Sequence, residues 1–216
     1  MVMPKKAQLK PRKIPAQERS RSTVMAIYQA ATQIFSKEGY EGTTTDLIAE
    51  RAGVSIGTLY QYFPSKDAIL LGLFEQHIHE SKVVAENFLD EVRRRGCIAP
   101  DMTPRIIRMI LEYNLHDHAQ HMRLIGNVGW PEDIVRLQMD LSRFLRKMIE
   151  EIFETSTDIH LKDPKTAAHI VWSSARLIIH DYLLYWTEDI SSEALIAELA
   201  NMLNQYIFSK SKQENT

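Results

Sequence analysis

The stretch Thr43-Thr44-Thr45-Asp46-Leu47-Ile48-Ala49-Glu50-Arg51-Ala52-Gly53-Val54-Ser55-Ile56-Gly57-Thr58-Leu59-Tyr60-Gln61-Tyr62-Phe63-Pro64 decides the reading of this chain. Thr43-x-x-Asp46 is a capping-box-like start, with a hydroxyl for an orphan amide and an acid at the positive end of a helix. That helix runs to Ala52, and Gly53 fits the left-handed position after it. Ser55 then caps a second short helix, which Pro64 ends. Two short helices joined by a tight turn make a helix-turn-helix, whose second helix enters the major groove of DNA. Ile48, Ala49, Ala52, Val54, Leu59 and Phe63 form the buried side. Ile56, Gly57, Thr58, Gln61 and Tyr62 are left facing outward, with Tyr60 on the flank.

Upstream, Val24, Ile27, Tyr28, Ala31, Ile34 and Phe35 follow the period of one helical face, and Gly39 stops that helix. Residues 1–18 place Pro4, Pro11 and Pro15 among lysines and read as a flexible basic arm. Downstream, Ser65 caps a long helix carrying Ile69, Leu70, Leu73, Phe74 and Ile78, which ends at Arg93, Arg94, Arg95 and Gly96. Further helices are expected over 103–118, 122–127, 131–155, 164–187 and 191–208. The third of these carries a stripe at Ile134, Leu137, Leu141, Leu145, Met148 and Ile152. No segment alternates with a period of two between hairpin signals. The expected fold is all-α: a three-helix DNA-binding module at 19–66, a larger helical regulatory and dimerisation domain at 67–209, and a disordered tail at 210–216.

Charge is unevenly placed. The chain carries a net charge of −2, yet through Lys66 ten Lys and Arg face five acids. A basic N-terminal module is thus joined to an acidic body, which suits a head that binds a polyanion. The single cysteine, Cys97, excludes an intramolecular disulfide and a cysteine-based zinc cluster. No signal-peptide pattern follows Lys5 and Lys6, and the most apolar segment, Ile170 to Trp186, is interrupted by Arg176, His180 and Asp181. A cytoplasmic protein without membrane contact is expected.

The pattern Gly39-Tyr40-Glu41-Gly42-Thr43-Thr44-Thr45, Ile48-Ala49, Ala52-Gly53-Val54-Ser55, Gly57-Thr58-Leu59-Tyr60, Tyr62-Phe63, Ser65-Lys66-Asp67 resembles the signature of the TetR family of transcriptional regulators. The resemblance covers roughly residues 20 to 75. It implies that Thr45, Tyr60, Tyr62 and Lys66 touch phosphates, which set register. It also implies that Ser55, Ile56, Gly57, Thr58 and Gln61 approach base edges. Gln61 is the expected direct reader, through adenine N6 and N7, while Thr58 or Ile56 would pack on a thymine methyl. Ile56 departs from the lysine or polar residue frequent at its place. The arm, with Lys10, Arg12 and Lys13, either reaches the minor groove or is a solubilising tail.

The same resemblance implies a homodimer formed by the two C-terminal helices, and a small-molecule pocket among the middle helices. Met109, Tyr113, Leu124, Trp130, Phe144, Met148 and Trp172 are the expected lining, an adaptable set that also fits plain core. His116, His118 and His121 lack the common helical face a metal site needs, and His180 and Asp181 diverge on theirs. No phosphate loop, nucleophile elbow or HExxH pattern is present. No cofactor, metal or catalysis is expected. The expected function is a dimeric repressor released from operator DNA by an apolar or amphipathic ligand. The alternative is a DNA-binding adaptor controlled by a protein partner, which small molecules would not stabilise.

Overall fold

The computed structural model describes residues 18–113, 131–185 and 189–209, and among them every regular element is an α-helix. In chain order these are α1 (Glu18–Gly42), α2 (Thr45–Arg51), α3 (Ile56–Tyr62), α4 (Lys66–Arg95), α5 (Met102–Tyr113), α6 (Glu132–Thr155), α7 (Pro164–Tyr185) and α8 (Ser192–Ile207). The expected all-helical class is what is found. The helix expected at 122–127, and the end of the one expected to reach His118, lie outside the described residues. No helix among those described is long and apolar enough to cross a membrane.

Local chemistry explains most boundaries. Ser55 accepts the amide of Thr58 at 3.0 Å, Ser65 that of Ala68 at 3.2 Å and Ser191 that of Ala194 at 3.2 Å, each meeting an orphan donor of a first turn. Asp163 does the same for Thr166 at 3.1 Å, ahead of Pro164 in the first helical position. The amide and hydroxyl of Thr166 hold the Asp163 carboxyl below its usual pKa, the hydroxyl contributing most.

The start of α2 corrects the sequence reading by one residue. The helix preceding it breaks at Gly39, whose φ of 73° and ψ of 169° suit glycine alone. After that break Thr43 turns inward, 2% exposed, and its hydroxyl donates to the Gly39 carbonyl at 2.6 Å. Thr44, extended at φ −120°, takes the cap and accepts the amide of Leu47 at 3.3 Å.

The chain divides into two compact units. In the first, Ile27, Ala31 and Phe35 of α1 pack with Ile48 and Ala49 of α2, Leu59 and Tyr62 of α3, Phe63, and Ala68 to Leu71 with Phe74 of α4. Ile134, from the start of α6, is wholly buried in the same core, and Leu137 packs against it. This unit takes α4 as far as His79 and recruits the first turns of α6 through Leu137. The physical reason is that α2 and α3, at seven residues each, are too short to bury their apolar sides without longer helices.

The second unit holds the rest of α4 and α6 with α5, α7 and α8. Its core runs through Val92, Ile107, Leu111, Ile152, Phe153, Val171, Ile179, Leu199 and Leu203. A polar tie fixes α5 to α8: the Thr103 hydroxyl donates to the Asn204 side-chain oxygen at 2.6 Å, while the Asn204 amide donates to the Pro100 carbonyl at 2.9 Å.

Candidate nucleic-acid interface

Three short-range features build the surface around α3. Gly53, at φ 67°, ends α2 in the left-handed region and turns the chain toward Ser55. Ser55 then begins α3 and also shares a 2.8 Å hydrogen bond with the hydroxyl of Thr58. On the far side of α3 the hydroxyl of Tyr60 pairs with that of Thr45 at 3.0 Å, tying α3 to the first residue of α2. Two of the three hydroxyls expected from the sequence to contact phosphates are thus adjacent.

Most of the expected contact residues lie at the surface. Ser55, Ile56, Gly57, Tyr60 and Gln61 are exposed, and Thr45 and Thr58 are half-buried. Ile56 and Tyr60 leave 36% and 42% of their areas to solvent. Tyr62 departs from the expectation. It is only 8% exposed and belongs to the core, because it follows Leu59 by three residues and shares that buried face. Its ring anchors α3 in the core.

Lys66 is engaged within the protein. Its ammonium donates to the carbonyls of Tyr40 at 2.7 Å and Thr43 at 3.2 Å and lies 4.3 Å from the centre of the Tyr40 ring. The Tyr40 hydroxyl in turn donates to the Asp67 carboxylate, whose pKa is raised by burial. This cluster ties the segment before α2 to the start of α4. Sequence reasoning placed Tyr40, Lys66 and Asp67 within one pattern but not in contact. It also missed Leu47, an exposed leucine on α2, and the bond from the Arg51 guanidinium to Gln33 at 2.7 Å that joins α2 to α1.

In the second unit an open groove of about 760 Å³ runs between α4 and α6. Leu89, Phe144 and Met148 supply its apolar part, and Glu86, Asp90, Glu150, Glu151 and Glu154 face Arg93 and Lys147. Arg93 is committed to Glu151 at 2.5 Å and to Asp90 at 3.3 Å, and both carboxylates raise its pKa, the Glu151 hydrogen bond most. Of the expected ligand residues, Phe144 and Met148 line this groove. Met109 and Trp172 are half-buried on α5 and α7 and do not line it. The side chain of Tyr113, with Leu124 and Trp130, lies outside the described residues. The Trp172 indole N–H and the Ser156 hydroxyl are buried without a hydrogen-bond partner among those described.

Two of the weighed histidine groupings gain little. His180 has its pKa lowered by burial first and then by Arg176, with Asp181 opposing. His116, His118 and His121 lie outside the described residues, among which no group of three or more metal-ligating side chains gathers.

Residues 27–73 match the family described as bacterial regulatory proteins, tetR family. The chain is 26% identical over 162 residues to YhgD of Bacillus subtilis, an uncharacterized transcriptional regulator of helix-turn-helix type, covering 72% of this chain and 82% of that protein. In fold it is similar to a Mesorhizobium loti protein named for the TetR family of transcriptional regulators. There the TM-score is 0.70 at 20% identity, over 88% of this chain and 97% of the other. It is also similar to the transcriptional regulator FadR of Bacillus subtilis, solved in complex with stearoyl-CoA. That match has a TM-score of 0.64 at 21% identity, over 86% of this chain and 97% of the other.

Proposed function

The chain is a TetR-family transcriptional regulator, and from that premise we propose that it binds operator DNA as a homodimer and is released when a small molecule occupies its second unit. The observation that carries the proposal is the surface of α3. A serine-capped seven-residue helix presents Ile56, Gly57, Tyr60 and Gln61 to solvent beside the paired hydroxyls of Thr45 and Tyr60. Those hydroxyls hold phosphates and set register, while Gln61 offers the donor and acceptor that match adenine N6 and N7. Lys66 acts as a positioning residue through its grip on Tyr40 and Thr43.

Dimerisation is supported by the apolar area left on the two last helices. Ile170 and Leu177 on α7, and Met202 and Tyr206 on α8, are exposed. Two half-sites about one DNA turn apart then add their binding, which a single short helix needs. The effector is proposed to be apolar or amphipathic. The apolar part of the α4–α6 groove, formed by Leu89, Phe144 and Met148 beside charged side chains, supports this. The stearoyl-CoA held by FadR is an amphipathic molecule of this kind. Such a regulator acts in the cytoplasm and requires neither cofactor nor metal.

The test is selection of bound sequences from random duplex DNA, followed by titration of the winner with wild type and Gln61→Ala. A palindromic winner, with Gln61→Ala relaxing preference at one position per half-site, is expected. Absence of any enriched sequence overturns the proposal.

A further inference from the structure

The face that α3 offers to DNA is unusual in what it lacks. Ile56, the first residue of the helix, is an exposed branched alkyl group where a polar contact would be easier to solvate. Thr58, one turn in, has its hydroxyl committed to Ser55 at 2.8 Å, and the Ser55 oxygen also accepts the Thr58 amide. The two hydroxyls bond to each other, as those of Thr45 and Tyr60 do, so the pair keeps one O–H to give a partner, and Thr58 adds a methyl group beside it. Between them stands Gly57. Its backbone needs no glycine, since it does not have positive φ, and a Cβ there would meet only the Ser55 oxygen at 3.8 Å. A helical glycine costs stability relative to alanine. Nothing inside the protein explains its presence, whereas close approach of a flat partner does.

We infer that the N-terminal half of α3 reads thymine 5-methyl groups, with Ile56 and Thr58 flanking a bare backbone at Gly57, so that each operator half-site carries A·T pairs at the positions beneath them. This rests on the DNA-binding reading above and specifies its substrate. The thymine methyl is the one apolar feature of the major-groove edges, and an alkyl side chain without a hydrogen bond to give can discriminate only through it. Gln61, one turn further along, contributes the hydrogen-bonding part of the same recognition.

The experiment uses the full chain and the operator duplex obtained by selection, with each thymidine of one half-site replaced in turn by deoxyuridine. That change removes the methyl and leaves every hydrogen-bonding group in place. Wild-type affinity is expected to fall roughly fourfold at one or two positions, the size expected for one buried carbon. Ile56→Ala is expected to bind thymidine and deoxyuridine alike at one of them. Thr58→Ser, which keeps the hydroxyl for Ser55 and loses the methyl, should do so at the neighbour, whereas Thr58→Val should remain sensitive. Tight sequence-specific binding that is indifferent to deoxyuridine throughout, or a selected half-site without thymine in either strand beneath α3, overturns this inference while leaving the DNA-binding reading standing. Failure to select any sequence overturns the reading itself. The wild-type scan decides even if a variant fails to fold.

Discussion

Lys66 holds its ammonium 4.3 Å from the centre of the Tyr40 ring while donating to that residue's carbonyl at 2.7 Å. One side chain thus meets both the aromatic face and the backbone of the segment that delivers α2. Lys66→Ala is expected to lower stability by about 1.5–3 kcal/mol, the range for hydrogen bonds to a charged group. It should weaken binding to all sequences alike with the salt dependence of affinity unchanged. A titration in which the logarithmic salt slope falls by about 0.9, with the melting temperature untouched, would make Lys66 a phosphate ligand instead.

Gly57→Ala should separate folding from recognition. The exposed helical position and the open space around it predict a gain of up to about 1 kcal/mol in stability, read as a higher melting temperature. Operator affinity should fall, because the added methyl stands between α3 and the base edges. A variant that binds as well as wild type would show that the helix does not approach DNA at this point.

Tyr28 of α1 and Gly72 of α4 predict a double-mutant cycle. A Cβ at residue 72 would fall on the Tyr28 hydroxyl and within 3.0 Å of the ring carbon that bears it. Gly72→Ala is expected to destabilise by about 1–3 kcal/mol, as overpacking does. Combined with Tyr28→Phe, it should recover much of that loss. Additive losses in denaturant titrations would refute the contact.

The same tyrosine makes stability depend on alkaline pH. Burial, and then the nearby Glu75, push its pKa up to about 12 from an ordinary value near 10. The unfolded chain therefore gives up this proton first. The contribution is full below about pH 10 and is lost as pH rises through about 12. Tyr28→Phe should flatten the decline over that window, and ultraviolet titration of the native protein should show one phenol ionising later than in the Tyr28→Phe variant.

Leu177, 55% exposed on α7, is the most exposed of the four apolar side chains on α7 and α8 proposed to form the dimer surface. Leu177→Glu is expected to give monomers in analytical ultracentrifugation and to cost far more affinity on a palindrome than on a single half-site. A variant that remains dimeric would place the interface elsewhere.

What the sequence disclosed was whatever local chemistry decides. Ser55, Ser65, Gly53 and Gly96 mark helix ends because a short hydroxyl or a missing Cβ acts within a few residues of itself. Thr43, Thr44 and Thr45 offer the same chemistry three times, and the choice of Thr44 as cap follows from the break at Gly39. Tyr62 was within reach, since its spacing from Leu59 is that of one helical face; its polar tip and the family pattern drew it outward instead. The seat of Tyr28 against Gly72 and the grip of Lys66 on Tyr40 join positions 44 and 26 apart, and no pattern within a single helix encodes either. The effector lining was the least legible, because methionine and aromatic residues at helical spacing serve core and cavity equally.

Ile134 closes the core around α2 and α3 from more than sixty residues further along the chain. The portable unit of this protein is therefore not a continuous segment. Grafting residues 18–79 onto another regulator transfers every side chain proposed to read DNA, yet leaves an apolar pit where Ile134 sat, a loss of the order of 2–5 kcal/mol if nothing refills it. Recombination that exchanges reading heads among such regulators must bring a matching start of α6 or an isoleucine-sized substitute. The freedom to diversify operator specificity is limited by a residue that never approaches the operator.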